Sequence, residues 1–121
     1  SSDINFDSKI ENIDKIFSAD DELSIYRIVQ ECLNNVLKHS KAKKATVKIE
    51  KTSAKIDFTN AQDIVMIQIT DDGQGFNYQA KKESGFGLEN IEQRVQLLGG
   101  KYSIKSNAGK GTVITITLAI K

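Results

Sequence analysis

Proline is missing from this 121-residue sequence altogether, so glycine, at eight positions, does the punctuating. The single cysteine, Cys32, has no partner for an internal disulfide and fits a reducing compartment. A formal net charge of +1 leaves no basic excess, which excludes a dedicated nucleic-acid binder. No apolar run approaches the roughly 20 residues that span a bilayer, and no signal-peptide pattern opens the chain. An initiator methionine is absent as well, so the expectation is a piece of a longer protein. There is no internal repeat, low-complexity tract or linker. Residues 1–121 therefore read as a single domain, large enough to bury roughly two thirds of its unfolded surface without disulfides or metal.

The apolar pattern then divides the chain. Residues 3–17 carry Ile4, Phe6, Ile10, Ile13, Ile16 and Phe17 among polar residues, giving a short strand and then a short helix. Residues 21–39 are helical, because Ile25, Ile28, Val29, Cys32, Leu33 and Val36 recur at spacings of three and four. Val47 and Ile49 alternate with lysine and glutamate in a strand over 46–51. Residues 52–62 form a hairpin connection, with extra strand over 55–59 as the alternative, and Val65, Ile67 and Ile69 a second strand that stops at Asp71. A glycine-bordered loop leads to a helix over 88–98, which Gly99-Gly100 closes. Strands over 101–106 and 112–119 flank the turn at 107–111. Strands grouped with a few helices give a two-layer α/β sandwich.

Three features carry chemistry. At roughly 100° per residue Glu31, Asn35 and Lys38 fall within about 60° of one another, with His39 beside them. They offer a proton acceptor, an oxygen for a hard cation, and two groups that meet phosphate, or else only the solvated face of an amphipathic helix. Asp71, at the end of a strand, is an acceptor suited to an exocyclic amine, and Gly73 and Gly75 let backbone approach a flat base; an ordinary Asp-Gly turn is the alternative. Gly85-Phe86-Gly87-Leu88 precedes a helix, whose free N–H groups favour an anion. Neither a Walker A loop nor a Rossmann fingerprint is present. Lys41, Lys43, Lys44, Lys48, Lys51 and Lys55 have no aromatic residues between them and read as solvated surface. Cys32 reads as core packing.

Taken in order, these motifs resemble one family. The run Gln30-Glu31-Cys32-Leu33-Asn34-Asn35-Val36-Leu37-Lys38-His39 resembles the N box of the GHKL ATPases, and Asp71-x-Gly73-x-Gly75 their G1 box. Gly85-x-Gly87-Leu88 resembles the G2 box, and Gly109-x-Gly111-Thr112 the closing motif. Arg27-Ile28-Val29-Gln30-Glu31 with Lys38-His39 is similar to the sensor histidine kinases with a short lid that pair with helix-turn-helix response regulators. The resemblance covers residues 22–119.

It implies the Bergerat fold, a mixed β-sheet covered on one face by helices, and binding of ATP with Mg²⁺. By its terms Glu31 is the base that polarises the acceptor histidine and Asn35 the Mg²⁺ ligand; Asn34 is one residue out of register for that role. Lys38 and His39 meet phosphate oxygens. Asp71 takes the adenine amine with a water shared by Thr112, and Gly73 and Gly75 line the base. Gly85, Gly87 and Leu88 flank the phosphates, the two glycines hinging a lid over 76–84. The activity implied is transfer of the ATP γ-phosphate to a histidine on an upstream dimerisation domain. The parent would be a homodimeric kinase, either held at the plasma membrane or free of it, with this domain cytoplasmic and, by itself, monomeric. Ser84 stands where a second glycine is usual, and 52–62 is longer than the usual hairpin. His39, the sole histidine, lies inside the N box and is not the acceptor. An anti-sigma-factor serine kinase and a docking module that binds nucleotide without catalysis remain as alternatives.

Overall fold

The computed structural model of the chain describes residues 4–55, 57–75 and 88–120. Ser18, in extended backbone, accepts the Asp21 N–H on its hydroxyl at 3.1 Å and so caps α1 (Ala19–Asn35). Asp20, Asp21 and Glu22 set negative charge on the positive end of the helix dipole. Ile25, Ile28 and Cys32 are its buried stripe. The helix runs on into a π turn, Val36–Ser40, and stops where Lys41 takes the left-handed conformation at φ 53°. The helix expected over 21–39 thus begins two residues earlier, and its last turn is wider than an α turn.

The strands are β1 (Asn5–Ile10), β2 (Lys44–Lys55), β3 (Ala61–Asp71), β4 (Lys101–Ser106) and β5 (Thr112–Ala119), with α2 (Leu88–Leu97) between β3 and β4. Among the described residues they form one sheet in the order β1-β2-β3-β5-β4. β1 and β2 are parallel and the remaining pairs antiparallel, so the sheet is mixed. Val65, Ile67, Ile69 and Asp71 on β3, with Ile114, Ile116 and Leu118 on β5, are buried in alternation with half-buried neighbours. The buried set shares one cluster with Ile25, Ile28, Cys32 and Val36 and with Ile91 and Val95 of α2. Both helices therefore pack on one face, the two-layer sandwich that the pattern implies.

Two expectations change. No helix follows β1: residues 14–16 form only a turn, with Lys15 at φ 66° and the Asp14 N–H taken by the Asn12 side chain at 2.8 Å. An asparagine that bonds its own backbone competes with a helical turn. The spacing of Ile13 and Ile16 reflects anchoring, since both pack against the core with Phe17. The long 52–62 stretch is mostly strand rather than connection, with Thr52, Ser53, Ala54 and Lys55 paired to Ile64, Asp63, Gln62 and Ala61. At the tip, Asp57 accepts from the Thr59 N–H and hydroxyl and the Asn60 N–H at 2.8, 2.9 and 2.9 Å. Those bonds hold its carboxyl below the usual carboxylate range.

The two helices run in opposite directions, which brings the end of α1 and the start of α2 to one end of the sheet. Ser18, Asp21 and Ile25 line a cleft with Leu118 and Ala119, so α1 starts at the C-terminal end of β5 and runs toward the end where β5 begins. α2 finishes at the C-terminal end of β5, where α1 starts. The Gly99 and Gly100 N–H groups close it on the Gln96 and Val95 carbonyls at 2.9 Å each, and Gly100 lies against Leu118. With Ile91 and Val95 in the core, the ten residues of α2 reach back about 15 Å from there toward the end of the sheet that carries Asp71 and Thr112.

Candidate functional site

One transverse row of the sheet ends at the start of β5. Across β2, β3, β5 and β4 the paired residues are Ala45, Asp71, Thr112 and Ser106. Ala45, Asp71 and Thr112 are buried, at 1, 7 and 7% exposure, and Asp71 and Thr112 are the buried polar side chains of the described core. A carboxylate at a strand end, lodged among apolar neighbours, is desolvated. Burial accordingly pushes the Asp71 carboxyl above its ordinary range, the neighbouring Asp72 charge adds to the rise, and the bond from the Gly73 N–H opposes it. That bond, 2.8 Å to Oδ1, is the one the described residues make to this carboxylate. The other oxygen is left as an acceptor.

Two further devices fix the row. Asp72 takes the Lys43 and Lys44 N–H groups on one oxygen at 2.9 and 3.0 Å, while its own N–H donates to the Lys44 carbonyl at 3.1 Å. These bonds hold its carboxyl below the usual range, and they tie the segment leaving α1 to the end of β3. The 107–111 turn locks onto the other side. Gly75, at φ 62°, faces the Asn107 carbonyl where a Cβ would collide; Gly111, at φ 79°, faces the Asp71 carbonyl in the same way. The Gly109 N–H donates to the Gln74 carbonyl between them. Gly73 is buried and serves Asp71 through its N–H.

α1 brings the second group to the same end. Glu31 and Asn35, one turn apart, are both half-buried, and the Asn35 Nδ2 is buried with no hydrogen-bond partner among the described residues. A buried amide with an orphaned end costs stability unless something else meets it. Its two ends exchange by a half-turn, so the same group offers either N–H or oxygen. Among the described residues no three His, Cys, Asp or Glu side chains cluster as metal ligands. Mg²⁺ is commonly held by one or two protein oxygens, with phosphate oxygens and waters completing its shell, and Asn35 fits that pattern. Cys32 is core: burial, and then the Glu31 carboxylate, push its thiol up to about 12, leaving it inert.

Lys38 is exposed on the π turn, which turns it away from the position that regular helical spacing gives beside Asn35. His39 lies in the same turn, with its side chain outside the described residues. Gly85, Gly87 and the 76–84 lid lie outside them too, as does the Leu88 side chain; Leu88 itself is the first residue of α2. A helix N-terminus aimed at the row supplies N–H groups and positive potential for an anion. Sequence reading passes over Asp72 and Ser106. Asp72 is hidden inside an ordinary turn pattern, and Ser106 becomes visible only once strand pairing sets it beside Thr112.

The site thus combines a buried acceptor for a donating base, an unpaired amide one helix away, and an anion-attracting helix end. The family described as histidine kinase-, DNA gyrase B-, and HSP90-like ATPase matches residues 20–121. The signal transduction histidine-protein kinase/phosphatase DegS of Brevibacillus brevis is 39% identical over 99 residues, 82% of this chain and 23% of that protein. Its namesake in Bacillus subtilis is 37% identical over 102 residues, 82% of this chain and 24% of that protein. The chain thus spans about a quarter of the length of the curated relatives it matches. The blue-light activated histidine kinase of Erythrobacter litoralis superposes with a TM-score of 0.74 at 21% identity, over 97% of this chain and 35% of that one, a likeness of fold.

Proposed function

The chain belongs to the histidine kinase-, DNA gyrase B- and HSP90-like ATPases, and on that footing we propose that it is the ATP-binding catalytic domain of a two-component sensor histidine kinase. The observation that carries the reading is the buried Asp71 carboxylate, fixed by the Gly73 N–H at 2.8 Å with its second oxygen open to a donor. An adenine amine meets that need. Asn35 would hold a Mg²⁺ ion, and Lys38, His39 and the glycine motif at 85–87 would meet phosphate oxygens. Mg²⁺, when bound, neutralises charge on the phosphates and helps to align the γ-phosphoryl group.

In the reaction an imidazole nitrogen of an acceptor histidine on the dimerisation domain attacks the γ-phosphorus. The P–N bond forms, the bond to the β–γ bridging oxygen breaks, ADP leaves, and the proton of the other imidazole nitrogen passes toward Glu31. Most of the acceleration comes from positioning and charge neutralisation. The phosphoryl group then moves to a response regulator of helix-turn-helix type. Among the described residues no helix is long and apolar enough to cross a membrane. The parent is dimeric, and this domain works on its cytoplasmic side.

Glu31→Gln tests the chemistry, because it keeps the shape of the side chain and removes the base. General-base contributions run about 10²–10⁴-fold. The variant is expected to bind Mg²⁺–ATP nearly as well as the parent and to phosphorylate a supplied dimerisation domain at least roughly tenfold more slowly. Transfer at the parent rate removes Glu31 from the mechanism. Tight ATP binding with no transfer by the parent domain favours a docking module instead.

A further inference from the structure

Thr112 and Ser106 face each other across β5 and β4, hydroxyl to hydroxyl at 2.8 Å. The Ser106 Oγ also donates to the Gly111 carbonyl at 3.2 Å. A hydroxyl owns one proton. With the Ser106 proton on the Gly111 carbonyl, the short hydroxyl–hydroxyl bond is donated by Thr112. Its proton then points toward β4, and the lone pairs of Oγ1 are what remains for the site. The next residue of the row, Asp71, is an acceptor too, and Ala45 beyond it offers nothing polar. Thr112 is 7% exposed, so bulk water does not readily repair a mismatch there, whether the base meets Oγ1 directly or through one shared water.

We propose that Ser106 is a positioning residue for base selection: it locks the Thr112 hydroxyl as an acceptor, so the row takes a purine with an amine at position 6 and turns away one with an oxo group. The inference rests on the ATP-binding reading above and names a residue that sets its specificity. Acceptors facing an amine are satisfied. At position 6, acceptors facing an oxo group leave polar atoms unpaired on both sides, the kind of mismatch that discriminates most strongly. The N1–H that accompanies the oxo group lies one ring position away and does not reach the atoms meant for the amine without a shift of the base.

The test is calorimetric titration of the domain with ATP and with ITP, which carries an oxo group in place of the amine. In Ser106→Ala the Thr112 hydroxyl is free to turn and donate. The ATP-to-ITP affinity ratio is then expected to fall by about 2- to 12-fold, the range a single hydrogen bond is worth. Ser106→Cys, which fills the same space with a weak donor, is the second variant and moves the ratio the same way. Ser106→Thr keeps the hydroxyl and holds the parent ratio. Because Ser106 acts through Thr112, adding Ser106→Ala to Thr112→Val changes the ratio no further. An unchanged ratio in Ser106→Ala and Ser106→Cys overturns the proposal while leaving ATP binding intact, and so does a further fall in the Thr112→Val background. A parent domain that binds neither nucleotide overturns the ATP-binding reading and this inference together.

Discussion

Asp71→Asn separates what the site does for the ligand from what it costs the fold. The substitution keeps volume and keeps an oxygen for the Gly73 N–H, which lies 2.8 Å from Oδ1, so the loop after β3 holds its shape. The second oxygen becomes an NH₂ group that faces the adenine amine donor to donor. Losing a hydrogen bond to a charged group costs about 1.5–3 kcal/mol, or roughly 12- to 160-fold in ATP affinity. The empty domain moves the other way. Its folded Asp71 holds a proton more tightly than the unfolded chain does, because burial disfavours the charge. That stabilising contribution is complete below the unfolded value, about 3.9, and is lost as pH rises through the higher folded value. At about pH 7 the parent carries a desolvated charge that asparagine lacks. Thermal scans without nucleotide should find Asp71→Asn more stable than the parent near neutrality, with the advantage shrinking as pH falls through that window. Calorimetry should find the affinity loss. Equal affinity in the variant, or an advantage that grows toward acid, refutes the reasoning.

Asn35→Leu replaces an amide whose Nδ2 is buried and unpaired, so the empty domain should melt no lower than the parent while the Mg²⁺-dependent part of ATP affinity disappears; an unchanged Mg²⁺ dependence removes Asn35 as the ligand. Gly111→Ala puts a Cβ against the Asp71 carbonyl at φ 79°, and chemical denaturation should register a loss of at least about 1–3 kcal/mol. Asp72→Ala cuts the two bonds to the Lys43 and Lys44 N–H groups and should lower both the melting temperature and ATP affinity, whereas Asp72→Asn, which keeps an acceptor oxygen, should recover much of each. Ile67→Ala opens a cavity at the fully buried centre of β3, and denaturant unfolding should show about 2–5 kcal/mol of lost stability.

Most of the elements were legible because their causes are local. Alternation over Val65, Ile67 and Ile69 needs a strand with one face buried, whatever lies next to it, and the spacing of Ile25, Ile28 and Cys32 needs a helix. Glu31 and Asn35 share a helix face by geometry alone, and the start of α2 follows from the motif that precedes it. Where local rules compete, the sequence was ambiguous. Ile13 and Ile16 have helical spacing, but they are held by the core they touch, and Lys15 turns left-handed where a helix would continue. For a different reason, the row of Ala45, Asp71, Thr112 and Ser106 could not be read from the residues themselves, where only the family resemblance joined Asp71 to Thr112. Its members are joined by strand register, and register is chosen by which distant faces must be buried together. Gly75 and Gly111 can be read as glycines in turns from sequence, yet only the fold shows the carbonyls of Asn107 and Asp71 occupying the space a Cβ would need. The sequence by itself determined which residue types are present for nucleotide chemistry. Tertiary pairing decided which of their atoms are buried, which protons are already committed, and which acceptor is left facing the ligand.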